Sequence, residues 1–209
     1  NGNIIDTKLR NSFALLNYAI DMSIQGTKYA YILDTNSIIK NIYENIPKSY
    51  KTDNPYLTTI DEAGNPIRYY NALMKYLNDK SIELYLATNM NNDWKQKLLT
   101  MKSKKPHIIV LEFYDEQSKI TTNKPRSFSL LGVRYALDSC IIRDTTKKHF
   151  CSLITCEKDE LAYDGMSFHR LVKMDWKHLL NSDITWSFEG INLQWNFKHG
   201  YQMLIYYRI

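Results

Sequence analysis

The apolar residues of this chain change period near residue 105, and no other feature restricts the fold as much. Before that point they recur at helical spacing: Leu9, Phe13, Leu16 and Ile20 lie three or four residues apart and share one helix face. Gly26 ends that helix, and residues 28–33 read as a short buried strand. Asn36 or Ser37 can cap a second helix running to Ile46, where Pro47 stops it. Residues 48–65, with Asp53-Asn54-Pro55 and Gly64-Asn65-Pro66, read as loop. Pro66 suits the first turn of a third helix through Tyr70, Leu73, Met74 and Leu77. Residues 81–87 are a strand candidate, and Asn92 or Asp93 caps a short helix to Met101.

From Pro106 onward the pattern is that of strands. His107-Ile-Ile-Val-Leu-Glu-Phe-Tyr114 is a β-rich run, and further strands are predicted at 127–131, 135–143, 150–156, 161–164 and 202–207. Helices followed by an antiparallel meander indicate an α+β fold, not an alternating parallel sheet. The expected division is a helical lobe with an inserted loop over 1–104 and an antiparallel β half over 105–209.

Composition narrows the function classes. A chain of 209 residues is most simply one large domain, or a domain with an appendage. No run is long enough and free enough of charge to cross a bilayer, and no secretory leader opens the sequence, so no membrane partner is expected. A start at Asn1 is what a fragment or processed product would have. Three cysteines, Cys140, Cys151 and Cys156, form no CxxC pair, which argues against a disulfide framework and for a reducing intracellular setting. The net charge of +5 is partly carried by Trp94-Lys95-Gln96-Lys97 and Lys102-Ser103-Lys104-Lys105. A solvated helix face running into a lysine-rich loop is the preferred reading, and a nucleic-acid surface the weaker one, since no RNP, zinc-finger or helix-turn-helix signature accompanies it. Abundant Asn, Lys, Ile and Tyr match the bias of an AT-rich coding genome, such as that of a protist or a large DNA virus.

Five pieces of the second half occur in a recognisable order. They are Lys105-Pro106-His107-Ile108-Ile109-Val110-Leu111, Tyr135-Ala-Leu-Asp-Ser-Cys-Ile-Ile142, His149-Phe150-Cys151-Ser152-Leu153, Ala162-Tyr163-Asp164 and Gly200-Tyr-Gln-Met-Leu-Ile-Tyr-Tyr-Arg208. In that order they resemble the C-terminal, histidine-bearing half of the ubiquitin-specific proteases, over roughly half the chain. The resemblance implies a papain-like cysteine-protease fold and thiol-dependent hydrolysis of the isopeptide bond at a ubiquitin or ubiquitin-like C-terminus. His149 would be the base that takes and returns a proton, and Asp164 would hold its imidazole in the right tautomer. The alternatives are a half-exposed histidine at a strand start, and an aspartate serving the turn before Gly165.

The nucleophile departs from the pattern. Upstream of Cys140 the chain has no cysteine, so the family's cysteine box is absent. Cys140, Cys151 and Cys156 read as small core or edge residues. His149, Cys151 and Cys156 lack a fourth metal ligand at usual spacing, so neither metal nor cofactor is expected. An upstream segment or a second chain would have to supply the thiol, and this chain alone is expected to be inactive. Two alternatives stand beside that reading. One is a catalytically inactive relative serving as a ubiquitin-binding or structural module, a viral-particle component included. The other is a basic nucleic-acid-associated protein. The expected location is cytoplasm, nucleus or virion.

A geometric tension sits inside the resemblance. Turn chemistry at Glu157-Lys158-Asp159-Glu160 would place Asp164 opposite Leu153, too far along its strand from His149 for a hydrogen bond. A bulge or wider loop before Leu161 is therefore expected, bringing the two side chains together.

Overall fold

The computed structural model describes residues 10–12, 14–16, 18, 22, 34–57, 65–77, 84–87, 96, 99–100, 105–113, 123–145, 149–164, 172–188 and 193–209. The strand expected at 28–33 lies outside these residues, as do most of the helix expected at 92–101 and most of the lysine cluster at 94–105, whereas the described residues between 10 and 18 are helical, as expected. The fold is α+β: helices, then a mixed and mostly antiparallel sheet. The chain forms two compact units, Asn1–Ser81 and Ile82–Ile209. The division thus falls at residue 81 and not at 104, because a strand ahead of residue 104 pairs into the sheet.

In the first unit, α1 (Thr35–Glu44) carries Ile38 and Ile42 one turn apart, with Ile46 a turn beyond them, and buries the last two. Its cap is Asp34, whose carboxylate accepts the Ser37 N–H at 3.1 Å. Asn36 and Ser37 are thus inside the helix, and Asp34, just ahead of it, does the capping. Residues 48–53, read as loop, form a second short helix, α2 (Lys48–Asp53). The tertiary contacts explain it: the Tyr50 hydroxyl donates to the Ala72 carbonyl of α3 (Pro66–Leu77) at 2.9 Å, and its ring packs against Tyr76 at 4.9 Å. Asn65 caps α3 by accepting from the N–H groups of Ile67 and Arg68, both at 3.1 Å, ahead of a Pro66 that has no N–H to satisfy. Ile42, Ile46, Leu57, Ala72 and Leu73 form this unit's core.

Among the described residues, the second unit is built on one sheet of eight strands: β1 (Leu84–Ala87), β2 (Ile108–Phe113), β3 (Ser127–Leu130), β4 (Val133–Arg143), β5 (Phe150–Cys156), β6 (Asp159–Tyr163), β7 (Val172–Lys173) and β10 (Gln202–Arg208). The order is β1-β2-β10-β4-β5-β6-β7, with β3 beside the first half of β4. Among the described residues only β1 against β2 is parallel; the other pairs are antiparallel. A plain meander would leave β10 at an edge, but it lies between β2 and β4. Gln202, Met203, Leu204 and Tyr206 of β10 are all buried, and an interior strand alone can satisfy both its ladder edges while covering such a run.

A bulge sets the phase of β4. Ile205 pairs with Ser139 while Tyr206 pairs with Leu137, so Asp138 is the extra residue. Before it the odd positions Tyr135 and Leu137 are buried; after it the even positions Cys140 and Ile142 are. One inserted residue thus keeps both halves of an eleven-residue strand facing the same core. That face is covered by side chains from residues 176–188 and 193–197, including the 3-10 turn Lys177–Leu179 and the small ribbon of β8 (Thr185–Trp186) and β9 (Trp195–Asn196). Trp176, Trp195 and Phe197 are fully buried there, and Trp186 packs alongside.

Candidate functional site

The geometry at the start of β5 follows from the β5–β6 hairpin. Cys156 pairs with Asp159 and the ladder runs unbroken to Ser152 and Tyr163. The loop is therefore only Glu157 and Lys158, with Glu157 at φ +56°, the left-handed geometry that primed hairpin turns require. The expected bulge or wider loop before Leu161 is absent, and Asp164 does not face Leu153. Continuing the register puts it opposite Cys151, two residues from His149 on the same side of the strand. A diagonal of that kind spans roughly 7–8 Å between backbones, within reach of an imidazole and a carboxylate together.

The two side chains meet: His149 Nε2 lies 2.5 Å from Asp164 Oδ1. Asp164 is fully buried, whereas the His149 side chain keeps 25% of its surface exposed. A carboxylate accepts and does not donate, so the neutral ring carries its proton on Nε2 and leaves Nδ1 with a lone pair. Among the described residues nothing bonds to Nδ1. The Trp195 ring stands 6.5 Å from the imidazole, and Phe188 packs edge-on to Trp195 at 5.1 Å. The Trp195 indole N–H is buried and has no partner among the described residues. Chemically, the arrangement is an oriented imidazole with one nitrogen held by a carboxylate and the other without a bond among the described residues.

No described cysteine completes a nucleophile with it. Cys151 sits on the core face opposite Asp164, and its thiol is pushed up by burial, then by Cys140, Asp164 and Asp144. Cys140 is buried too, and burial pushes its thiol up to about 12. Both are protonated and unreactive at neutral pH. Cys156 is exposed, but it lies at the far end of β5 on the opposite face, roughly 23 Å along the strand from His149. Among the described residues no group of three or more His, Cys, Asp or Glu side chains could hold a metal ion. No helix among them is long and apolar enough to cross a membrane.

Two further contributors are Asp144, which carries no sequence signal, and Gly200, which opens the last piece of the resemblance. Asp144, 2% exposed, follows β4 and pairs with His149: its N–H donates to the His149 carbonyl at 2.6 Å, and its Oδ1 accepts the His149 N–H at 3.3 Å. It reaches the core face only through the bulge at Asp138, which no residue preference announces. Gly200, at φ +84°, passes so close to β4 that a Cβ there would stand 2.8 Å from the Arg143 carbonyl oxygen. Of the remaining histidines, His178 and His199 are exposed and pair loosely with Asp175 and Asp183.

No family model matches the chain, and no curated protein sequence matches it. Among solved structures, the chain is similar to one described as the crystal structure of an essential yeast splicing factor. The two are 10% identical, with a TM-score of 0.37, over 60% of this chain and 31% of that one. A likeness of that size says nothing of function.

Proposed function

We propose that the second unit is the histidine-bearing half of a ubiquitin-specific-protease-like domain with a papain-like arrangement, whose nucleophilic cysteine comes from an upstream segment or a second chain. The observation that carries the reading is the 2.5 Å contact between His149 Nε2 and the buried Asp164 carboxylate, made by two residues that the resemblance singles out independently. The open Nδ1 would draw the proton from an incoming thiol and return it to the leaving amine, while Asp164 stabilises the imidazolium between the two steps. The substrate class is the isopeptide or peptide bond at the C-terminus of ubiquitin or a ubiquitin-like protein. Helices preceding a mostly antiparallel sheet are compatible with the papain-like arrangement.

A second reading is favoured by the cysteines. With Cys140 and Cys151 buried and protonated and Cys156 remote, the chain resembles an inactive relative that binds ubiquitin or serves as a structural module. One experiment separates the two. The longest product of the native reading frame is challenged with a ubiquitin-vinyl-type probe, and ubiquitin binding is measured in parallel. An adduct that is lost in His149→Ala and weakened in Asp164→Ala supports the enzyme. Ubiquitin binding without any adduct supports the inactive relative. Neither binding nor adduct overturns both.

A further inference from the structure

We infer that Asp144 is a positioning residue for His149: it splints the histidine's backbone so that the ring meets Asp164. This rests on the proton-exchange reading of the His149–Asp164 pair. The two residues occupy the row of the sheet next beyond Arg143 and Phe150. In a regular antiparallel ladder, a close pair exchanges two backbone bonds. Here one is present, from the Asp144 N–H to the His149 carbonyl at 2.6 Å. The return bond runs from the His149 N–H to the Asp144 carboxylate instead, at 3.3 Å. A side-chain oxygen thus takes the place of a backbone carbonyl and closes the ladder at the residue that carries the imidazole.

Asp144 can act as a splint because it is held on both sides. Ahead of it, the Arg143 N–H donates to the Tyr201 carbonyl at 2.9 Å, and the missing side chain of Gly200 lets β10's lead-in lie against the Arg143 carbonyl. After it, the Thr145 N–H donates to the Gln194 carbonyl at 2.9 Å, next to the Trp195 whose ring faces His149. The bulge at Asp138 turns Asp144 inward, to the face on which His149 and Asp164 meet. Asp164 therefore sets the ring, and Asp144 sets the Cα–Cβ direction from which the ring departs.

The test reads the histidine directly, without needing turnover. Proton–nitrogen correlation spectra of the imidazoles, with the His149 signal assigned by its loss in His149→Gln, give the tautomer of the neutral ring. Amide exchange gives the backbone. We expect the native ring to hold its proton on Nε2. In Asp144→Ala the His149 amide should exchange about tenfold faster and the ring should populate both tautomers. Asp144→Asn, which keeps the accepting oxygen, should stay within about twofold of native on both. Asp164→Asn should disturb the tautomer and leave the His149 amide as in native. If Asp144→Ala does not fold, Asp144→Ser, too short to make the bond, replaces it with the same expectation. A folded Asp144→Ala or Asp144→Ser variant with native tautomer and native exchange overturns the inference, as does an Asp144→Asn as damaging as alanine. A native ring already mixed between tautomers overturns the proton-exchange reading instead, and the amide exchange then reads the splint by itself.

Discussion

Lys124 offers the sharpest energetic test of the second unit. Its side chain is 3% exposed, and its ammonium donates to Gln202 Oε1 at 2.8 Å, to the Leu180 carbonyl at 3.4 Å and to the Phe197 carbonyl. Its backbone is fastened reciprocally to Asn181, through Lys124 N–H to Oδ1 at 2.8 Å and Asn181 Nδ2 to the Lys124 carbonyl at 3.0 Å. Burial lowers its pKa from 10.5 to about 8, opposed by Cys140 and assisted by Lys198. A lysine lowered on folding is charged in both states below pH 8, where its contribution is least favourable. Between the folded and unfolded values the unfolded chain binds the extra proton, so this contribution rises with pH. From about pH 7 to about pH 9.5 the linkage amounts to about 2 kcal/mol. Cys140 and Cys151, raised by burial, act oppositely as pH passes the unfolded thiol value of about 8.5, so the raw slope mixes the two effects. The difference between native protein and Lys124→Met removes the thiols, which both share. Urea unfolding followed by tryptophan fluorescence should show that difference rising by about 2 kcal/mol in favour of the native chain across the window. A difference that is flat within about 0.5 kcal/mol, or that falls with pH, would mean that the three acceptors outweigh desolvation and hold the ammonium charged.

The 209-residue chain alone should neither hydrolyse a ubiquitin-derived fluorogenic substrate nor form a probe adduct; an adduct at Cys140, Cys151 or Cys156 would relocate the site. In native protein a thiol reagent followed by mass spectrometry should modify Cys156 promptly, and Cys140 and Cys151 only in denaturant; prompt labelling of either would contradict their burial. Gly200→Ala should cost upward of about 2 kcal/mol in urea, since it adds positive-φ strain to a backbone clash, and a neutral result would deny the close approach to Arg143. Leu153→Ala, at a fully buried position between β4 and β6, should cost about 2–5 kcal/mol by the same assay, whereas a loss under about 1 kcal/mol would mean the core is loosely packed.

Local chemistry is enough to determine much of this protein. Apolar spacing and Pro66 locate α3, β-rich runs locate β2, β4, β5 and β10, and the switch between the two periods sets the α+β class. These signals are legible because each depends on residues within one or two turns or strands of one another. The helix at Lys48–Asp53 is not, because docking of Tyr50 against Ala72 outweighs a loop-like composition. Nor is the place of β10 between β2 and β4, which depends on partners some ninety and sixty residues away in sequence. The site divides the same way. His149 and Asp164 can be picked out from the sequence as residue types in a familiar order, but their meeting depends on the register of a two-residue turn, and a shift of one residue would send Asp164 to the other face. Asp144 depends on register twice over, since the bulge at Asp138 turns it inward and the β4–β5 pairing sets it against His149. Residue identity supplies the imidazole and the carboxylates; the distances between them are a property of strand pairing, which only the folded sheet decides.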